Sequence, residues 1–292
     1  MKTILLGPNG QLGTDIRAVN HHRGEPLSVD PIDRSMVDLT DVDAIGRCLR
    51  DREFGCLINC ASYHKTDEVE QNSERAFAIN AHSVRRLAEI CADKRARFVH
   101  VSTDYVFGGQ QKRAPLIESD EKAPVNVYGE SKGLGEDLAL GAGAEVLVLR
   151  VASLFGVAGS SGKGGNFVET VIRLGRERGE LRVVADQTMS PTSTRDIAEA
   201  LIRMLEHDVP PGIWHVVNSG AATWHEFATR IVERANVAAV VVPVETSAFP
   251  TPARRPPYSV LDNSKLAAAV GSMRDWQDAL DDYLVARGHR LN

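Results

Sequence analysis

The sequence predicts an α/β protein, a doubly wound, Rossmann-like parallel sheet with a smaller C-terminal substrate-binding lobe, and three observations carry that expectation. A short apolar run, Lys2-Thr3-Ile4-Leu5-Leu6, opens the chain and breaks into the glycine-rich Gly7-Pro8-Asn9-Gly10-Gln11-Leu12-Gly13. Further apolar runs at Cys56–Asn59, 97–102 and Glu145–Val151 alternate with helical periodicity at 67–93 and 128–140. Such alternation implies right-handed βαβ crossovers and strands buried on both faces. The length of 292 residues suffices for one large α/β domain with an appended lobe.

Glycines at 7, 10 and 13 give G-x-x-G-x-x-G between the first strand and a helix-like stretch at 11–19. That spacing supplies a tight turn, a bare backbone beside a pyrophosphate and close helix–sheet contact, while the helix N-terminus offers free N–H groups to the phosphates. Gly7, Asn9, Gly10, Gln11, Leu12 and Gly13 are the candidate cradle of a dinucleotide. The second strand is expected at 26–29, ending at Asp30, whose carboxylate would accept hydrogen bonds from the adenosine ribose and favour NADH. Arg34 just behind it would hold a 2′-phosphate, so NADPH stays open as well. Asp38 and Leu39, in Asp38-Leu39-Thr40-Asp41, read as an adenine-side turn and helix cap. The next strand ends in Asn59-Cys60-Ala61-Ser62-Tyr63, where Cys60, Ala61, Ser62 and Tyr63 are placed to line the cofactor.

Ligands of such sheets bind beyond the carboxyl ends of the strands. The run Phe98-Val99-His100-Val101 ends in Ser102-Thr103-Asp104-Tyr105, putting a hydroxyl, Ser102 or Thr103, where a nicotinamide should lie. On the following helix Tyr128 and Lys132 share one face, a turn apart. A free phenol titrates near ~10, so proton transfer near neutrality asks for roughly 4 kcal/mol of differential interaction. A nearby cation favours the phenolate and supplies part of that. Alone, a Tyr-x-x-x-Lys pair is commonplace on helices; the glycine loop upstream gives this one meaning. Thr103, Tyr128 and Lys132 are the candidate catalytic residues, forming with Ser102 a site that polarises a carbonyl.

Composition narrows the partners. Apolar content of 43% suits a globular core, and a net charge of −5 argues against nucleic acid. No apolar run reaches membrane-spanning length, and the first strand enters the fold at once, leaving no signal peptide. Cys48, Cys56, Cys60 and Cys91 lack C-x-x-C spacing and read as reduced structural residues of a cytoplasmic protein. The nine histidines show no metal-like spacing, and no metal is expected. A monomer or homodimer is the expected assembly.

Near residue 152 the texture changes, so 1–152 is expected to be the dinucleotide-binding domain, with later segments returning to it, and 153–292 mainly the substrate lobe. A Gly/Ser-rich loop at 156–165 and a Pro-rich stretch at 243–259 fall in that lobe. Gly159-Ser160-Ser161-Gly162-Lys163-Gly164 superficially resembles a Walker loop but lacks its glycine spacing and its hydroxyl after the lysine. It reads as a substrate-side loop, with Asn166 as a polar contact at its end.

Thr103-Asp104-Tyr105-Val106-Phe107 after Ser102, Tyr128-Gly129-x-Ser131-Lys132, Ser190-Pro191-Thr192, and Pro252-Ala253-Arg254-Arg255-Pro256 continuing to Lys265 together resemble the dTDP-4-dehydrorhamnose reductase family of extended short-chain dehydrogenases/reductases. The resemblance runs in order from Met1 past Lys265. It implies NAD(P)H-dependent reduction of the C4 ketone of dTDP-4-dehydro-6-deoxy-L-mannose to dTDP-L-rhamnose, for cell-surface polysaccharide or glycoside synthesis. By that resemblance Tyr128 donates the proton, Lys132 lowers its pKa and holds the nicotinamide ribose, and Thr103 hydrogen-bonds the carbonyl oxygen. Asp104 and Tyr105 border the sugar, and Arg254 and Arg255 suit the diphosphate. Asp15 lies near the position of a family magnesium contact, a lone carboxylate there. One departure stands out: the family's Arg-Thr-Ser-Trp-Val-Tyr reads Arg150-Val151-Ala152-Ser153-Leu154-Phe155 here, so Ser153 replaces the tryptophan expected against the sugar and reshapes the pocket. His64-Lys65 also differs from the smaller residues expected there. Two alternatives share the frame: a non-catalytic regulatory subunit of the methionine adenosyltransferase type, and a nucleotide-sugar epimerase or dehydratase with tightly held NAD.

Overall fold

The computed structural model describes residues 1–159, 165–289 and 291. The chain opens with β1 (Lys2–Leu6), α1 (Gln11–His22), β2 (Ser28–Ile32), α2 (Val42–Leu49) and β3 (Cys56–Asn59). Then come α3 (Thr66–Gln71), α4 (Ser73–Phe77), a π-helical turn (Ala78–His82), α5 (Ser83–Lys94), β4 (Arg97–Thr103), a 3-10 turn (Asp104–Phe107), α6 (Val127–Leu140) and β5 (Glu145–Val151). The later part holds β6 (Leu154–Phe155), α7 (Phe167–Arg178), β7 (Glu180–Val184), β8 (Thr188–Met189), β9 (Thr192–Ser193), α8 (Thr194–Glu206) and β10 (Gly212–His215). It closes with β11 (Ala222–Thr223), α9 (Trp224–Arg234), β12 (Val240–Val244), α10 (Ser264–Val270) and α11 (Trp276–Ala286).

Six strands form one sheet in the order β2-β1-β3-β4-β5-β10, and every neighbouring pair is parallel. Their side chains alternate between two buried faces. Leu5, Ile58, Val99, Leu147 and Leu149 join a core with α1 and α8, while Ile4, Leu57, Phe98, Val146 and Val148 join another with α2 and α5. The direction of chain growth reverses between β1 and β3, and the crevice at their carboxyl ends is where such sheets take a ligand. A separate core of Phe155, Ile172, Phe227, Ile231, Trp276 and Leu280 holds the later helices around three two-stranded pieces, β6-β9, β7-β12 and β8-β11. The chain returns from this lobe to add β10 at the sheet edge.

Two boundaries differ from expectation. β2 starts later and runs further, because its pairing with β1 continues from Lys2–Ser28 to Leu6–Ile32. Pro31 is tolerated inside it because β2 is an edge strand, whose outward side needs no donor. The single helix expected at 67–93 is broken at Asn72, whose φ of −133° leaves helical space while its amide donates to Glu68 O at 2.7 Å. Beyond it, one π-helical turn at Ala78–His82 turns Asn80 inward, where it is 1% exposed.

α6 is the element that fixes the site. Its Lys132 and Glu136 are both buried, so each needs a partner inside the protein. Glu136 takes two hydrogen bonds from Arg150, at 3.0 and 2.7 Å, and one from Ser102 Oγ at 2.5 Å. Arg150 also lies 4.7 Å from the ring centroid of Phe107. Removing one member strands a buried charge. Arg150→Met is expected to lower unfolding stability by about 3–5 kcal/mol, read as a fall in the urea midpoint. A change below about 1 kcal/mol would contradict a load carried by this pair.

Candidate active site

The cradle is built by close backbone contact. A Cβ on Gly13 would lie 2.2 Å from Gly7 O, so only glycine lets α1 seat against the loop after β1. α1 begins at Gly10 with no side-chain cap and no acidic residue in its first turn, which leaves its leading N–H groups to an anion. Gln11 Oε1 is buried without a hydrogen-bond partner. Across the crevice, Gly7 abuts Cys60 and Ala61, to the point that a Cβ would meet Ala61 N at 3.1 Å. These features fit a dinucleotide phosphate, and the structure brings Gly7, Asn9, Gly10, Gln11, Leu12 and Gly13 to the same crevice as Cys60, Ala61, Ser62 and Tyr63.

Asp30 is misplaced by the sequence. It sits inside β2, paired with Ile4, and its carboxylate forms an ion pair with Arg52. The strand ends at Ile32, so the acidic residue at its carboxyl end is Asp33, whose Oδ1 accepts from Ser35 N and Oγ at 2.8 and 2.6 Å. Those bonds hold the Asp33 carboxyl below its usual range. Asp38 accepts from Thr40 N at 2.9 Å, chiefly through which its pKa is lowered, with Arg75 and Arg34 contributing. Asp41 is the side-chain cap of α2, and Leu39 packs against the core beneath it. Arg75, absent from the sequence-based set, lies 5.6 Å from the Tyr63 ring centroid.

Lys132 is 1% exposed and donates to Val101 O at 2.6 Å; its Nζ stands 3.1 Å from His100 Nε2. Burial, with the Lys132 charge adding to it, lowers the His100 pKa well below its usual value, and a neutral imidazole can accept an ammonium proton at Nε2. Burial also pushes Lys132 down to about 8, with Glu136 opposing the shift. Tyr128 lies one turn ahead, where its phenol reaches the Thr103 hydroxyl and its ring meets Tyr105 edge-on at 5.5 Å. Here the expected direction is reversed. Burial raises the Tyr128 pKa, the Thr103 contact alone draws it back, and Lys132 is turned to Val101 and His100. A phenol kept protonated is suited to give a proton rather than take one.

Of the two candidate hydroxyls, Thr103 faces the phenol. Ser102 points to the other side of the sheet and donates to Glu136, so its hydroxyl is engaged as a structural partner of α6. Asp104 is 3% exposed, with Oδ1 accepting from Thr103 and Oδ2 from Ser259. Tyr105 is pushed up to about 12 by burial, against the nearby charge of Arg255.

Two substrate-side expectations change, those for Asn166 and Arg255. Asn166 caps α7, accepting from Glu169 N at 3.1 Å, and donates to Gly156 O and Tyr283 Oη at 3.0 Å each; its amide belongs to the lobe's own structure. Arg255 pairs with Asp67 at 2.7 Å and donates to Ala253 O, so it clamps the 252–256 strap instead of presenting a free fork, while Arg254 is exposed. Ser153 adopts a left-handed φ of +43° between β5 and β6, a strained conformation for a residue with a Cβ. Residues 160–164 of the Walker-like run lie outside the described residues. Asp15 accepts a hydrogen bond from Thr194, joining α1 to α8.

Residues the sequence did not single out complete the frame. Asn126 caps α6 through Gly129 N and donates to Arg254 O at 2.8 Å, tying the strap to the helix that carries Tyr128. Asn80 bonds Tyr63 N and O and donates to Ser131 Oγ at 3.0 Å. Their signal lies only in three-dimensional proximity: neither Asn126–Arg254 nor Asn80–Ser131 has a spacing to read.

Comparison with known proteins agrees with this fold. The family model described as RmlD substrate binding domain matches residues 1–287. The chain is 35% identical over 98% of its length to the spore coat polysaccharide biosynthesis protein SpsK of Bacillus subtilis, covering 98% of that protein. It is 36% identical to the dTDP-4-dehydrorhamnose reductase of Mycolicibacterium smegmatis, over 98% of this chain and 85% of that one. A probable dTDP-4,6-dihydroxy-2-methyloxan-3-one 4-ketoreductase of Streptomyces antibioticus is 35% identical, over 96% and 93%. Among solved structures, a dTDP-4-dehydrorhamnose reductase of Clostridium acetobutylicum superposes with a TM-score of 0.91 at 34% identity, covering 98% of this chain and 99% of that one. That of Bacillus anthracis, in complex with NADP, does so at 0.90 and 33%, with the same coverage.

The cradle makes a direct prediction. Gly13→Ala is expected to abolish dinucleotide binding in calorimetric titration, whereas Asp30→Ala leaves the Kd within a few-fold. Loss of affinity in Asp30→Ala would restore that residue to the adenosine site.

Proposed function

The chain belongs to the RmlD substrate binding domain family, that of the dTDP-4-dehydrorhamnose reductases, and on that premise we propose that it reduces the C4 ketone of a nucleotide-activated 4-dehydro-6-deoxysugar. The substrate assigned is dTDP-4-dehydro-L-rhamnose and the product dTDP-L-rhamnose, a donor for polysaccharide or glycoside synthesis. The observation that carries this is the meeting of the Tyr128 phenol and the Thr103 hydroxyl beyond β4, with buried Lys132 one turn behind.

A reduced nicotinamide dinucleotide bound over the glycine cradle supplies the hydride. Gly7 to Gly13 and the N-terminus of α1 hold its pyrophosphate, and Cys60, Ala61, Ser62 and Tyr63 line the crevice wall. Both NADPH and NADH suit the adenosine end, where Arg34 follows Asp33 after β2. The ketone oxygen lies between Tyr128 and Thr103. Tyr128 gives its proton to that oxygen as negative charge develops there, and Thr103 hydrogen-bonds the same atom. Lys132, ammonium below about pH 8, holds the nicotinamide ribose and offsets the phenolate left behind. Tyr105 borders the sugar, and exposed Arg254 is the arginine available to the diphosphate. Ser153, in place of a large aromatic, leaves that wall of the sugar pocket open. Residues up to 152 supply the cofactor half and those beyond mainly the substrate half.

No helix among the described residues is long and apolar enough to cross a membrane. A cytoplasmic enzyme, monomeric or homodimeric, acting on a nucleotide sugar and not on nucleic acid fits this reading.

The deciding experiment follows NADPH and NADH oxidation in parallel with dTDP-4-dehydro-6-deoxy-L-mannose generated in situ. Rapid oxidation with dTDP-L-rhamnose as product is expected. No turnover with intact cofactor binding would favour a regulatory role, and NAD retained through purification an epimerase. Tyr128→Phe is expected to abolish turnover while cofactor Kd changes less than a few-fold; near-full activity in that variant would remove Tyr128 as proton donor.

A further inference from the structure

Thr103 has one hydroxyl proton, and the structure directs it away from the reacting position. Oγ1 donates to Asp104 Oδ1 at 3.0 Å and accepts the Tyr105 N–H at 3.2 Å. A hydroxyl offers one donor and two acceptor positions. Beside an Asp104 carboxylate, which can only accept, Thr103 therefore turns a lone pair toward Tyr128. A ketone oxygen set between the two would find the phenol as donor and a repelling oxygen from Thr103. Oxyanion stabilisation requires the opposite polarity.

A proton on Asp104 Oδ1 reverses it. The acid then donates to Thr103, whose two lone pairs are filled by Asp104 and the Tyr105 N–H, and the Thr103 proton is released toward the ketone. Oδ2 is held by the Ser259 hydroxyl at 2.6 Å, which leaves Oδ1 as the oxygen to carry the proton. We propose that Asp104 works as a neutral carboxylic acid, a positioning residue that turns Thr103 from acceptor to donor at the reacting oxygen. This rests on the reading that the ketone lies between Tyr128 and Thr103. Asp104 keeps its proton throughout; the single proton gained by the alkoxide comes from Tyr128.

The surroundings favour the neutral form. Asp104 is 3% exposed. Among the described residues, the titratable groups that face it are the phenols of Tyr105, on its own turn, and Tyr128, on α6. β4 and the strap contribute only the hydroxyls of Thr103 and Ser259. Burial accordingly pushes the carboxyl up to about 6, against the opposing pull of those hydrogen bonds and of the backbone N–H groups of Asp104 and Tyr105.

The test is kcat/KM for the ketone at saturating cofactor, from about pH 5 to about pH 8, in the native protein, Asp104→Asn and Ser259→Ala. Native activity is expected to fall at least about tenfold as pH rises through the Asp104 titration, since losing one oxyanion donor typically lowers rates by about 10² or more. In Asp104→Asn the amide donates to Thr103 permanently, so this limb disappears and activity stays at the acid plateau. Ser259→Ala removes a hydrogen bond that favours the carboxylate, and moves the limb to higher pH. A native profile flat below about pH 7, or a limb there that survives in Asp104→Asn, would overturn the proposal; a fall near pH 8 common to all three proteins belongs to Lys132. An infrared pH titration of the free protein reads the same proton without turnover: a carboxylic acid band lost in Asp104→Asn supports it, and a carboxylate throughout sinks it. A native protein inactive at every pH would instead count against the reductase reading, with the infrared titration still deciding the state of Asp104.

Discussion

One helix carrying two buried charges governs the arrangement of this protein. Tyr128, Lys132 and Glu136 follow one another at four-residue intervals on the same face of α6, and that face lies on β4 and β5. A buried lysine and a buried glutamate cannot slide. Lys132 is satisfied by Val101 O and His100, and Glu136 by Ser102 and Arg150. Only one seating of the helix along the strands answers both, because either charge left unpaired in the interior would cost several kcal/mol. That seating delivers Tyr128 one turn further, just beyond the end of β4, to the hydroxyl of Thr103.

The same economy of contacts joins the two halves of the site. Parallel strands end on one side of the sheet, so the loops after β1, β3 and β4 share a single rim. The glycine loop closes on the residues after β3, and the strap at 252–261 returns from the far end of the chain to the residues after β4 and to α3. Its polar anchors are Arg255 to Asp67, Arg254 O to Asn126 and Ser259 to Asp104, and Leu261 packs beside Val106, Phe107 and Leu116. The later part of the chain thereby connects to the turn after β4, while the apolar core of its lobe remains separate from the sheet's.

The electrostatics follow from the same burial. A phenol raised by desolvation and a lysine lowered to about 8 lie one turn apart on α6, and a carboxyl raised to about 6 lies on the buried turn after β4. Each shift favours the neutral form, as removal of water dictates. What distinguishes the groups is their partners: Lys132 has acceptors for its protons, whereas Asp104 faces hydroxyls, the backbone N–H groups of its own turn and two phenols, with no cation against it among the described residues.

The sequence by itself determined the fold class, because strands buried on both faces read as continuous apolar runs and a glycine loop after the first of them has few other uses. β1, β3 and β5 fell where the apolar runs placed them. Tyr128 and Lys132 were legible because helical periodicity relates residues four apart with no knowledge of the rest. Tertiary structure alone decided whatever depended on pairing or on distant partners. The register of β2 against β1 moved Asp30 inside the strand and put Asp33 at its end. The alternation of β4 sent Ser102 to Glu136 and Thr103 to Tyr128, a choice that two adjacent hydroxyls cannot reveal. Asn166 and Arg255 carried side chains suited to a ligand, yet found partners 117 and 188 residues away in Tyr283 and Asp67. Local chemistry is written in short spacings, whereas the partner that claims a polar side chain is set by the packing of the whole chain.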